Sequence, residues 1–143
     1  MPSTGFFYAI GAAITWGVVY TIDQRVLRGA SPFALLFIDS ILTALLLLPV
    51  LFLDRDSLAS LSGTSAKVWM LIVASLALAA FANFLIFSAI KILGAGPASI
   101  FEIAYPFFVV LFTYLIFRTT PSLYFLLGAA LIFAGAAIII ARG

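Results

Sequence analysis

The stretch PFALLFIDSILTALLLLPVLFL, Pro32–Leu53, carries a single charge, Asp39. At about 1.5 Å of rise per residue, a helix of this length crosses a hydrocarbon core of about 30 Å. Lipid offers no partners to backbone N–H and C=O groups, so a run this long must close its hydrogen bonds internally, as a helix does. A barrel strand would be about half as long and would alternate apolar with polar residues. Four further runs of similar character follow the same logic: Gly5–Ile22, Val68–Ile90, Gly96–Phe117 and Leu123–Ala141. The expected fold class is therefore all-α, a polytopic membrane protein with five transmembrane helices in a single domain over residues 1–143.

Hydrophobic residues make up 66% of the 143-residue chain and charged residues 8%, and nearly every charge falls between the runs. The first run lacks the basic flank of a signal peptide, since no Lys or Arg precedes Arg25, and it is read as a retained helix. The longest connection, Leu53–Lys67, is too short to fold alone, so function is expected in or across the bilayer. The net charge of +2 is spread over loops and makes no basic patch for nucleic acid. With no Cys and no His, the chain has no disulfide, no thiol nucleophile, no haem ligation and no ordinary zinc site, and no cofactor is expected. It also lacks a Ser-His-Asp set and a phosphate-cradling glycine loop, and an enzyme is not expected.

Orientation follows the side richer in Lys and Arg. With the N-terminus on side A, that side holds Arg55, Lys67 and Arg118, and side B holds Arg25, Arg28, Lys91 and Arg142. A near tie suits a chain that inserts both ways and pairs antiparallel. Transporters are commonly built from inverted repeats with substrate held where the copies meet, and five helices make a natural half of a ten-helix transporter.

Read in order, the segments resemble a known family. AITWG at Ala13–Gly17 looks like the Trp-Gly signature of the EamA domain, the repeat unit of the drug/metabolite transporter superfamily. GASP at Gly29–Pro32 matches that domain's second landmark, and from Phe87 the likeness is denser: FSAIK, then GPAS at Gly96–Ser99, Pro106 within the fourth run, and GAALIFAG at Gly128–Gly135. The resemblance implies a single five-helix EamA-type domain, one copy where many relatives have two, in a family that moves metabolites, amino acids or drugs. Two positions depart from the pattern: Asp39 stands where the family often has Arg, and FRTT at Phe117–Thr120 where it often has Gly-Glu-Arg-Leu.

Two carboxylates interrupt the runs. Asp39 lies about seven residues into the second helix and Glu102 about six into the fourth, both counted from side B, which puts them at similar depth, around 10 Å. An ionisable group in the bilayer costs about 2.5–3.5 kcal/mol on insertion scales, so it marks a functional site or a paired one. Glu102, with Asp39 second to it, is the expected proton- or cation-coupling group. The bland alternative is neutralisation by Lys91, Arg25 or Arg28 snorkelling at the same ends. Trp16 and Tyr20, four apart on one helix face, together with Asn83 and Tyr105, are the expected cavity lining, suited to an organic cation or a flat metabolite. Against this, Tyr20 fits an interfacial aromatic belt and Asn83 fits interhelical packing.

Pro106 deletes a hydrogen bond in the fourth helix and frees the carbonyl of Glu102, which makes it a hinge or a packing kink. Small residues at three- and four-residue spacing, Gly128, Ala130, Ala134 and Gly135 above all, let helices approach closely, and the fifth helix is a candidate dimer seam. The function expected is a transporter of a small organic solute by alternating access, proton-coupled, acting as a homodimer in a plasma or inner membrane. The alternatives are a subunit of a lipid-linked sugar flippase and an accessory membrane subunit without flux of its own.

Overall fold

A computed structural model describes residues 2–54, 56 and 59–142, apart from the side chains of residues 2, 3, 140 and 142. Arg55 and the side chain of Arg142, both weighed above for orientation, lie outside the described residues. The elements are helices throughout: α1 (Pro2–Val26), α2 (Pro32–Leu53), α3 (Ala66–Leu93), α4 (Ala95–Glu102), α5 (Tyr105–Phe117) and α6 (Leu123–Arg142). Four stretches are long and apolar enough to cross a membrane, namely Thr4–Val26, Pro32–Leu53, Ala66–Leu93 and Ala95–Phe117, and the apolar stretch Leu123–Ile139 within α6 is shorter.

Two differences from the sequence expectation bear on the site. The first helix runs past Ile22 to Val26, because Asp23, Gln24 and Arg25 are polar without being helix breakers. The chain then turns over Leu27–Gly29, and Ser31 caps α2: its hydroxyl oxygen accepts from the backbone N–H of Ala34 at 3.1 Å, with Pro32 opening the helix. The fourth run is not one kinked helix but two. Pro106 has no N–H to give the Glu102 carbonyl and its ring crowds that oxygen, so the ladder stops at Glu102 and restarts at Tyr105. Between them the turn tightens, with the Ala104 N–H donating to the Phe101 carbonyl at 3.3 Å.

The buried core is confined to one end. Tyr20 and Leu27 from the end of α1 and its following turn, Phe87 and Ile90 from the end of α3, and Ala95 and Ala98 from the start of α4 form one apolar cluster, flanked by Leu35 and Leu36 at the start of α2. All of these lie toward side B. Polar bonds fasten the same end: Lys91 Nζ donates to the Ala30 carbonyl at 2.6 Å, and the backbone N–H of Ala95 donates to Gln24 Oε1 at 2.7 Å. Gly94, between α3 and α4, sits at φ 88°, ψ 163°, a conformation essentially reserved for glycine. Farther along, α6 meets α4 and α5 through the buried Ala129 and an edge-to-face contact of Phe107 with Phe133, centroids 5.4 Å apart.

Candidate functional site: a three-helix cleft with two carboxylates

A cleft of about 570 Å³ opens between α1, α2 and α3. From α1 it takes Ala12, Thr15, Trp16, Val19 and Asp23, a spacing of three and four that keeps one helix face turned inward. From α2 it takes Leu35, Asp39 and Thr43, four apart, and from α3 Asn83 and Phe87, again four apart. The volume falls within the roughly 300–1,000 Å³ of small-molecule sites. The wall is mostly apolar with a few convergent polar groups, and none of the residues lining it is Lys or Arg.

Of the expected site residues, Trp16, Asp39 and Asn83 meet in this cleft. Tyr20 and Glu102 meet each other beside it. The Tyr20 side chain is 8% exposed, and its hydroxyl donates to Glu102 Oε2 at 2.6 Å, joining α1 to the end of α4. Trp16 packs on Tyr20 with ring centroids 5.5 Å apart, so the indole that walls the cleft also touches the ring that holds Glu102. The partner that Glu102 finds is therefore a phenol, while Lys91 is engaged by the Ala30 carbonyl. Tyr105 opens α5, is 62% exposed and is not among the residues lining the cleft. Pro106 lies at the helix break, directly after it.

Asp23 is the residue that the sequence reading passed over. It lines the cleft at 8% exposure, and its Oδ2 is buried with no hydrogen-bond partner among the described residues. The signal was present as spacing: Asp23 lies three residues after Tyr20 and seven after Trp16, on the same helical face. Four hydroxyls in the spans bond within their own helices, as lipid surroundings favour. Thr15 and Thr21 donate to the carbonyls of Gly11 and Gly17, and Ser40 and Ser88 to those of Leu36 and Phe84, each at 2.8 Å. Thr15 thus keeps its oxygen as an acceptor for the cleft.

Residues 3–141 match the profile of the EamA-like transporter family. The chain belongs to the EamA-like transporter family. The match covers nearly the whole sequence, including the cleft, the helix break and α6. No match to the chain was found among curated proteins or among solved structures. Family membership and the apolar helices together make this a multi-pass membrane protein of transporter type.

Proposed function

We propose that this chain is a carrier that moves a small organic solute across a plasma or inner membrane by alternating access, coupled to protons and working as an antiparallel homodimer. The observation that carries the reading is the cleft, a mostly apolar concavity of small-molecule size with two carboxylates, an amide and an indole in its wall. Polar groups at that depth are costly in a membrane protein and are retained where a solute or ion path needs them.

In this reading Glu102 is the coupling residue. Its short bond from Tyr20 is charge-assisted, and protonation of the carboxylate weakens it. Weakening it loosens α1 from α4 at the break before Pro106, a hinge between two half-helices, while the Trp16 contact carries the change to the cleft wall. The packed end on side B and the less packed opposite half suit a protein that opens toward one face at a time. Dimerisation is supported by the near tie of basic charges between the two sides, and the exposed Ala130 and Ala134 on α6 provide a close-approach seam.

The test is counterflow in proteoliposomes preloaded with a mixture of labelled metabolites, with an internal pH dye to follow protons. Native protein is expected to exchange solute and to concentrate it when a pH gradient is imposed. Glu102→Gln is expected to exchange but not to concentrate; proton-driven accumulation by that variant would sink the coupling role, and absence of any flux in native protein would sink the carrier reading. Topology is read separately with Ser3→Cys and Gly143→Cys in the cysteine-free chain. About half labelling of each from outside intact cells supports antiparallel pairs, and complete labelling of one end alone overturns them.

A further inference from the structure

We infer that the cleft binds an organic monocation, its ammonium-like head seated between Asp23 and Asp39 and its apolar or aromatic body against Trp16 and Phe87. The inference rests on the carrier reading of the same cleft and adds the charge of the solute. Three observations carry it. The cleft presents two carboxylates and no basic residue in its lining, so its field favours a cation. Asp23 is more than nine-tenths buried, its Oδ2 is unpartnered among the described residues, and it faces the cleft. A buried carboxylate oxygen without a donor is costly, and a ligand that brings positive charge to it offsets that cost.

The third observation is the wall beside the carboxylates. The Trp16 indole attracts a cation to its face, and it holds its place by packing on Tyr20, itself fixed by Glu102. The surrounding Ala12, Val19, Leu35 and Phe87 suit hydrocarbon. A bare metal ion fits this site poorly. About 570 Å³ is far more than an ion occupies, the described residues contain no group of three or more metal-binding carboxylates, and a hard cation asks for six or more oxygen ligands. An anion would meet two carboxylates with no counter-charge in the lining.

The experiment is equilibrium dialysis on the full chain in neutral phosphatidylcholine nanodiscs. The probes are benzyltrimethylammonium, its uncharged carbon isostere neopentylbenzene, and benzenesulfonate as the anion. The cation is expected to bind saturably, the isostere and the anion at least about tenfold more weakly, and Asp23→Asn to reduce cation binding by at least about tenfold. Asp39→Asn is expected to reduce it less, Asp23→Glu to retain it in part, and Trp16→Leu to weaken the aromatic cation more than tetramethylammonium. Equal binding of cation and isostere overturns the inference, as does cation binding indifferent to both carboxylates, or binding of Na⁺ without binding of benzyltrimethylammonium. If Asp23→Asn does not fold, the charge series on native protein and Asp39→Asn still decide. Failure here is distinguishable from failure of the carrier reading: flux of neutral or anionic solutes without cation binding rejects the cation site alone, and cation binding without flux rejects the carrier alone.

Discussion

The two ends of the helix assembly differ in how they are held. At side B, Leu27 and Ile90 are each 1% exposed, three polar bonds cross between segments, and Gly94 turns the chain tightly. Toward side A, the first half of α1, most of α2 and most of α3 leave their side chains exposed. Lipid removes the hydrophobic drive between helices, so contact there depends on shape and polar bonds, and this chain concentrates both at one end. The cleft adjoins the packed end, since Leu35 and Phe87 line it and also belong to or pack against the apolar cluster.

The largest test of that contrast sets a core truncation in the packed end against the same truncation at an exposed position midway along α3. Ile90→Ala is expected to lower unfolding stability by about 2–3 kcal/mol, toward the low side of core truncations because lipid, rather than water, surrounds much of the protein. Leu78→Ala, at a residue 69% exposed on the same helix, is expected to stay within about 0.5 kcal/mol. Unfolding in mixed micelles with increasing dodecyl sulfate measures both, and equal effects would remove the distinction between the packed end and the rest of the helix.

Next in size is the turn. Gly94→Ala places a β-carbon on a backbone at φ 88°, which costs about 1–2 kcal/mol, although the space itself is adequate with the Gln24 side chain 3.7 Å away. The penalty is conformational, so trimming Gln24 is not expected to rescue it. Gln24→Ala in the Gly94→Ala background, measured by the same unfolding assay, checks this: recovery of stability would mean that the clash, not the dihedral, was responsible.

How much of this was legible in the sequence divides along the same line. The apolar runs were visible because spanning a bilayer requires length and composition, both local properties. Trp16, Asp39 and Asn83 stood out as polar or aromatic interruptions of those runs, and the structure brings them to one cleft. Asp23 was passed over because hydropathy ends the first run at Ile22, whereas hydrogen bonding carries the helix to Val26. The bond from Tyr20 to Glu102 joins residues 82 apart, and nothing local announces such a pair. Pro106 announced a disturbance, but whether a ladder bends or breaks depends on whether neighbouring turns re-satisfy the freed groups, and here the chain divides at Ile103 and Ala104.

The third prediction concerns the polar bond between α1 and α4. Tyr20→Phe keeps the ring and its packing on Trp16 and removes the donor to Glu102, with an expected loss of about 1 kcal/mol, typical of interhelical bonds in membranes. A double-mutant cycle with Glu102→Gln isolates the coupling between the two groups. A coupling of zero would mean that the packed end is held by its apolar cluster and by the Lys91 and Gln24 bonds without this one, and the proposed route from Glu102 to the cleft would lose its link.

The smallest effect compares two serines that begin helices at opposite ends. Ser31 starts α2 on side B and its Oγ accepts from the Ala34 N–H; Ser65 starts α3 on side A in a similar extended conformation and makes no such bond. Ser31→Ala leaves one of the first-turn N–H groups without its side-chain partner and is expected to cost about 0.5–1 kcal/mol. Ser65→Ala removes no bond and is expected to be close to neutral. Amide hydrogen exchange at the first turns of α2 and α3 reads the two separately, because a lost cap raises local opening at its own helix before it affects global unfolding. Equal acceleration at both helices would indicate that the Ser65 hydroxyl caps α3 in the bilayer as Ser31 caps α2, and the asymmetry between the ends would then reside in the apolar cluster and the three crossing bonds rather than in how the helices begin.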